Sequence, residues 1–182
     1  MSALQEIEIA ISKKKLISLF VASFIFVSLG AWFIVSPPKI QNPIFGNPMV
    51  VSAVGLLSVL FFGVAGISFF KRLLDKSPGL IISEKGIFDN ASGVSAGLIP
   101  WTDILSIQET VVQNQRFVNI VVKNPEEYIN KHKSIVKRKL AQINYKSFGT
   151  VIGIPATGLN CNYDELKALL ENKFNEFKRR SE

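Results

Sequence analysis

Lys131, Lys133, Lys137, Arg138 and Lys139, interleaved with His132, Ile135 and Val136, place five basic side chains within nine residues. Ammonium and guanidinium groups at this spacing suit anionic oxygens, either lipid phosphates or an acidic partner. Near an anionic leaflet each contributes about 1 kcal/mol. The bland reading is that the lysines stay solvated while Val136, Leu140 and Ile143 pack on a domain. By helical angle the basic positions spread over several faces.

Other chemistry has little to work with. His132 is the single histidine and has no Cys, Asp or Glu at zinc-ligand spacing. Cys161 is the single cysteine, which excludes an intrachain disulfide and fits a reducing compartment. No His or basic cluster adjoins it to activate the thiol. Asp103, Glu126 and Glu127 read as turn or surface acids. No nucleophile motif, paired carboxylates or phosphate-binding glycine loop occurs. The expectation is a non-enzymatic chain with no cofactor, no metal and no small-molecule substrate.

The elements that must position the basic cluster begin far upstream. Leu16–Val35 and Met49–Phe70 are apolar runs without one Asp, Glu, Lys, Arg or His. Each matches the roughly 20 residues a helix needs to cross a hydrocarbon core of about 30 Å. Lys13, Lys14 and Lys15 precede the first run, and Lys71 and Arg72 follow the second. Basic residues mark the cytoplasmic side, so these five are read as membrane-surface residues of a hairpin with both chain termini in the cytoplasm. Trp32 suits the far interface. The first run exceeds a signal-peptide core, and Ser36-Pro37-Pro38 offers no cleavage pattern. Pro37, Pro38, Pro43 and Pro48 keep the two spans from merging into one rod. Absence of charge within the spans argues against a transporter or channel.

Ser52, Gly55, Gly63 and Gly66 fall within about 80° of one another on the second span. Such a stripe lets two backbones approach in lipid, with the first span as partner and a second copy as runner-up.

Net charge supports the same reading. Residues 1–76 carry seven Lys/Arg and three Asp/Glu, or +4, while 77–182 carry fourteen and eleven, or +3. More than half of the excess flanks the apolar runs, so the basic balance does not require a nucleic-acid partner.

The remainder divides into 1–12, a strand-like segment, and 77–182, a cytoplasmic domain, around the 13–76 hairpin. Gln5–Ile11 alternates Ile7, Ile9 and Ile11 against Glu6, Glu8 and Ala10. A lone strand needs a sheet to join, and the sheet of the C-terminal domain is the expected host. Short strands are predicted at Leu80–Ser83, Ile87–Asn90, Leu98–Trp101, Leu105–Val112, Arg116–Lys123 and Gly149–Pro155. Gln113-Asn114-Gln115 makes a hairpin turn. Pro125–Tyr145 reads as helix in two pieces with Ile129, Val136, Leu140 and Ile143 on one face. Asn162 and Glu165 can form a capping box for a last helix, whose stripe is Leu166, Leu169, Leu170, Phe174 and Phe177. Trp101 should pack inward with Ile99, and Asp103 should bond the backbone at a bend.

The runs Leu80-Ile81-Ile82-Ser83, Gly86-Ile87 and Gly97-Leu98-Ile99-Pro100-Trp101-Thr102-Asp103-Ile104-Leu105-Ser106-Ile107 resemble the opening of bacterial pleckstrin-homology-like (PH-like) domains. The whole chain resembles an uncharacterised family of small bacterial membrane proteins that join such a domain to a two-helix hairpin. The likeness is best over the hairpin and residues 78–122. Pro125–Phe148 departs from a plain PH-like core. The resemblance implies an α+β fold: a two-helix transmembrane hairpin, then an antiparallel sheet or partly open barrel closed by a C-terminal amphipathic helix. It implies little about function, because folds host many roles.

The expectation is a multi-pass protein of the cytoplasmic (inner) membrane. Its PH-like domain would serve as a binding or scaffolding module for a protein or anionic lipid. The competing expectation is an accessory subunit that docks a larger membrane complex through its hairpin. Partners are thus the bilayer and a membrane protein or a second copy.

Overall fold

The computed structural model describes residues 6–38 and 46–181. They form two compact units: Lys13–Lys76, and a second built from Met1–Ser12 with Ser77–Glu182. The architecture is α+β, two long apolar helices followed by antiparallel sheets, and the sheets do not close into a barrel.

In the helical unit α1 spans Lys13–Val35 and α2 spans Pro48–Leu74. Both outrun the apolar runs, 16–35 and 49–70, because the flanking basic residues continue the helix. Asn47 caps α2, its Oδ1 accepting from Met49 N at 2.9 Å, and Pro48 sits where a missing N–H costs nothing. Lys39 and Pro43 lie outside the described residues.

Among the described residues the other unit has seven strands: β1 (Ile7–Ile9), β2 (Leu80–Ser83), β3 (Gly86–Asp89), β4 (Gly97–Pro100), β5 (Ile104–Val112), β6 (Gln115–Val122) and β7 (Ile152–Pro155). One sheet has the order β1-β2-β3-β4, the other β5-β6-β7, and every pairing is antiparallel. The N-terminal strand is shorter than its alternating segment, and Gln5 is outside the described residues. It pairs Ile7 with Ile82 and Ile9 with Leu80. Its continuation reaches the second sheet's side of the domain: Ile11 bridges Leu159, Asn160 N donates to Ala10 O at 2.8 Å, and Ser12 N donates to Gly158 O at 3.0 Å. The 64 residues Lys13–Lys76 are therefore inserted into one folded unit, between two adjacent strands.

Two turns show why the chain folds where it does. Gln113 and Asn114 both have positive φ, 46° and 66°, the two-residue turn whose twist matches its flanking strands. Gly86, at φ 146°, lies so close to the Ile99 carbonyl that no side chain fits.

One hydrophobic core joins both sheets to the helices that follow residue 124. Leu80, Ile82, Ile87 and Ile99 from the first sheet meet Val118, Ile120, Ile152 and Ile154 from the second. Each such side chain contributes about 1.5–3 kcal/mol by leaving water. The last helix, α5 (Tyr163–Ser181), adds Leu166, Leu170 and Phe174. It starts with a reciprocal cap, Glu165 N to Asn162 Oδ1 at 2.8 Å and Asn162 N to Glu165 Oε2 at 3.2 Å.

Four expectations need correction. Trp101 ends the β4 run and opens a short 3-10 turn, Trp101–Asp103, instead of completing the strand. Gly149 is not the start of β7 but the left-handed residue ending α4 (Ile135–Phe148), its N–H bonded to Tyr145 O at 2.9 Å. The Asp103 carboxylate accepts from the Tyr128 hydroxyl at 2.9 Å, because α3 (Pro125–Asn130) brings that ring to it. Ile129 does not share a face with Val136, Leu140 and Ile143. The helix breaks between α3 and α4, which buries Ile129 and leaves the other three exposed.

Candidate functional site

Three regions bear on function: the contact between α1 and α2, a charged network on the β5–β6 hairpin, and the surface of α4.

The helix pair buries small residues and exposes large ones. Ser23, Gly30, Val51, Gly55 and Gly66 are its buried positions. Phe24, Leu57, Phe61 and Val64 are all exposed by 66% or more. A core helix of a water-soluble domain has the opposite distribution. The contacts Gly30–Gly55 and Ser23–Gly66, with Phe20–Phe70 at 5.7 Å and Phe26–Phe62 at 4.3 Å, run in opposite directions along the two helices, which are therefore antiparallel. Ser58 Oγ donates across the interface to Phe26 O at 3.1 Å. Lys13, Lys14 and Lys15 at the start of α1 and Lys71 and Arg72 at the end of α2 consequently share one end of the pair. Arg72 binds Asp75 at 2.8 Å.

Of the predicted small-residue stripe, Gly55 and Gly66 face α1, whereas a Cβ on Gly63 would meet nothing within 4 Å. Ser52 is half-buried. Gly30, Ser23 and Ser58 complete the contact and were missed; their signal was small size at spacings of seven along α1 for Ser23 and Gly30. A Cβ on Gly55 would lie 2.6 Å from the Gly30 carbonyl oxygen, a backbone atom that cannot step aside. Gly55→Leu is therefore expected to force the helices apart at a cost of about 1–3 kcal/mol. Gly63→Leu should be silent. Spin labels on the two helices, with their separation measured by pulsed electron resonance, would show a longer distance in the first variant only.

On the domain, Glu109 of β5 holds Arg116 of β6 at 2.7 Å and Lys167 of α5 at 3.3 Å, and Arg116 also reaches Asp164 at 2.9 Å. The Arg116 hydrogen bond holds the Glu109 carboxyl down to about 2, with Lys167 helping and partial desolvation opposing. The Arg116 guanidinium stacks 3.8 Å from the Tyr163 ring centre, and burial pushes that hydroxyl up to about 12. The network ties the β5–β6 hairpin to α5. Its acids are occupied by cations, which suits a clasp better than an acid or base.

The predicted basic residues do not act as one patch. Lys131 turns onto the domain, Nζ to Ala96 O at 3.4 Å. Arg138 Nη2 donates to His132 O at 3.2 Å. Burial, with Lys137, Lys131 and Arg138 nearby, lowers the His132 pKa. Lys133 sits in the bend before α4, while Lys137 and Lys139 are on the helix, joined there by Lys146. Ala141 is the buried residue of α4. Ile135, Val136, Leu140 and Ile143 stand 73%, 67%, 45% and 55% exposed.

A cavity of about 140 Å³ between α4 and the second sheet is lined by Thr110, Phe117, Asn119, Asn144, Phe148 and Thr150 among others, and none of its lining residues is ionisable. Among the described residues no group of three His, Cys, Asp or Glu is placed to hold a metal ion.

The chain matches no family model, no curated protein and no solved structure.

Proposed function

We propose that this is a membrane-anchored, non-enzymatic binding or scaffolding protein, whose PH-like domain is held at the cytoplasmic face of the inner membrane by a two-helix hairpin. The observation that carries the reading is the insertion of Lys13–Lys76 between β1 and β2, adjacent strands of one sheet. A hairpin whose two ends enter the same folded domain must leave and return on the same side of any bilayer it crosses.

Each helix is long and apolar enough for such a crossing. Their exposed Phe, Leu, Ile and Val side chains would form an apolar surface far larger than a water-soluble monomer tolerates. The lysines at the start of α1 add a further argument. Cations at a helix N-terminus oppose the helix dipole by about 0.3–1 kcal/mol each. Lys13, Lys14 and Lys15 thus work against the helix they begin, and retention on the cytoplasmic side supplies a reason for them.

The PH-like assignment is supported by seven antiparallel strands in two sheets and an amphipathic C-terminal helix seated on their shared core. Docking of a larger complex through the hairpin is less favoured, since Gly30, Gly55, Ser23 and Gly66 are occupied with each other. Tethering raises the domain's effective concentration for other molecules of the same membrane, so a modest affinity suffices.

Accessibility labelling tests the reading. In a Cys161→Ser chain, single cysteines at Glu6 and Ser181 should both react with an impermeant maleimide only from the cytoplasmic side, and one at Gly46 only from the opposite side. Labelling of the two termini from opposite faces, or release of the protein by alkaline carbonate, would overturn it.

A further inference from the structure

We infer that α4 lies on an anionic lipid surface, with its Val136–Leu140–Ile143 stripe entering the headgroup boundary and Lys137, Lys139 and Lys146 meeting lipid phosphates. The inference rests on the membrane-anchor reading and names the target of the domain.

Three observations support it. The first is exposure: three large aliphatic residues stand in solvent on a helix whose buried residue is one alanine. The second is arrangement. At 100° per residue Val136, Leu140 and Ile143 lie within about 60° of one another, with Lys139 and Lys146 along one border and Lys137 along the other. That is the section of an interfacial helix, with an apolar strip between cations able to reach the headgroups. The third is charge. Residues 131–148 carry six Lys/Arg and no Asp/Glu. The rest of 77–182 carries eight and eleven, so the domain's +3 resolves into +6 on this stretch and −3 elsewhere. The domain's net positive charge is thus carried by this stretch of chain. A second copy presenting the same face would be repelled, whereas an anionic leaflet is complementary. Lys131 and Arg138 are turned to carbonyls of the domain, which leaves the three lysines of α4 as the lipid-directed set.

The test uses the full chain with Cys161→Ser, reconstituted into phosphatidylcholine vesicles with or without phosphatidylglycerol. An environment-sensitive fluorophore is placed on Leu140→Cys or Ile143→Cys. The expected result is a blue shift and quenching by shallow spin-labelled lipid in the anionic vesicles. Both should be largely lost in pure phosphatidylcholine, at high salt, or when Lys137, Lys139 and Lys146 are changed together to Gln. The Gln substitutions are at exposed positions and keep the side-chain length close. A second fluorophore on Gly63→Cys, on the open side of α2, should be quenched by deep spin labels in both vesicle types. If it is not, the anchor reading is what fails. If it is, three results overturn the α4 inference: a water-exposed signal in anionic vesicles, protection that follows protein-to-lipid ratio without regard to lipid charge (a second copy), or protection present only in native membranes (a protein partner).

Discussion

A chain that begins at Ser12 is expected to lose the cooperative unfolding transition of residues 77–182. The missing segment supplies Ile9, a buried member of the core. It also supplies the Ile9 carbonyl that accepts from Gly79 N at 2.9 Å and the Ala10 carbonyl that accepts from Asn160 N at 2.8 Å. Losing an isoleucine of this kind costs about 2–5 kcal/mol, and each backbone bond about 0.5–1.5 kcal/mol more. The sum is of the order of the whole stability of a small domain, about 5–15 kcal/mol. The edge of β2 would be bared at the same time, an invitation to aggregate. The measurement is urea unfolding in detergent followed by Trp101 fluorescence, with Trp32→Phe to remove the other indole. Ile9→Asp should reproduce most of the loss, since it places a carboxylate in the same apolar site. Glu8→Ala, on the exposed side of the strand, should stay within about 0.5 kcal/mol of the parent. A shortened chain with an unchanged midpoint would show that the N-terminal strand is dispensable.

Trp101→Ala should be nearly as severe. The indole is 2% exposed and lies against Phe174 and Phe177, with ring centres 6.3 and 6.2 Å away. Its Nε1 donates to Ser83 O at 2.9 Å, which ties the turn after β4 to the end of β2. Truncation opens a cavity worth about 3–5 kcal/mol and leaves the carbonyl without its donor. Trp101→Phe keeps an aromatic ring in the stack and should lose the bond with only part of the volume, so its cost should fall clearly below that of alanine. Cys161, packed against the same core, serves as the reporter. Its rate of maleimide labelling should rise steeply for alanine and modestly for phenylalanine. Equal rates in all three chains would mean that α5 does not depend on this stack.

What could be read from the sequence was what repeats locally. The apolar runs, the alternation at Ile7–Ile11 and the Asn162–Glu165 cap each state their own structure within a few residues. Features that depend on burial or on distant partners were not legible. Asp89 is one: it is fully buried, and its carboxylate gathers Ala91 N, Ser92 N, Ser92 Oγ and Ala96 N, which fixes the loop before β4. In sequence it is one more acid ahead of small residues. Gly30 is another, since its role is set by Gly55 on the other helix. The α4 stripe was visible as a period, but a period does not say which face is covered. The break at residues 131–134 turned the expected packing face of α4 outward, which no local period records.

The insertion of Lys13–Lys76 between neighbouring strands also sets an order of events during synthesis. The N-terminal strand leaves the ribosome first, yet its partner follows some seventy residues later, roughly ten seconds at ordinary elongation rates. In that interval, on the topology proposed above, the hairpin is handed to the lipid. The sheet can zip up only if both ends come back to the same compartment. On that topology, a hairpin in which one span fails to cross leaves Ile7 and Ile9 across the bilayer from β2, and the domain unfinished. On the proposed topology the fold would thereby report incomplete insertion, because half-inserted chains would stay unfolded and open to proteases.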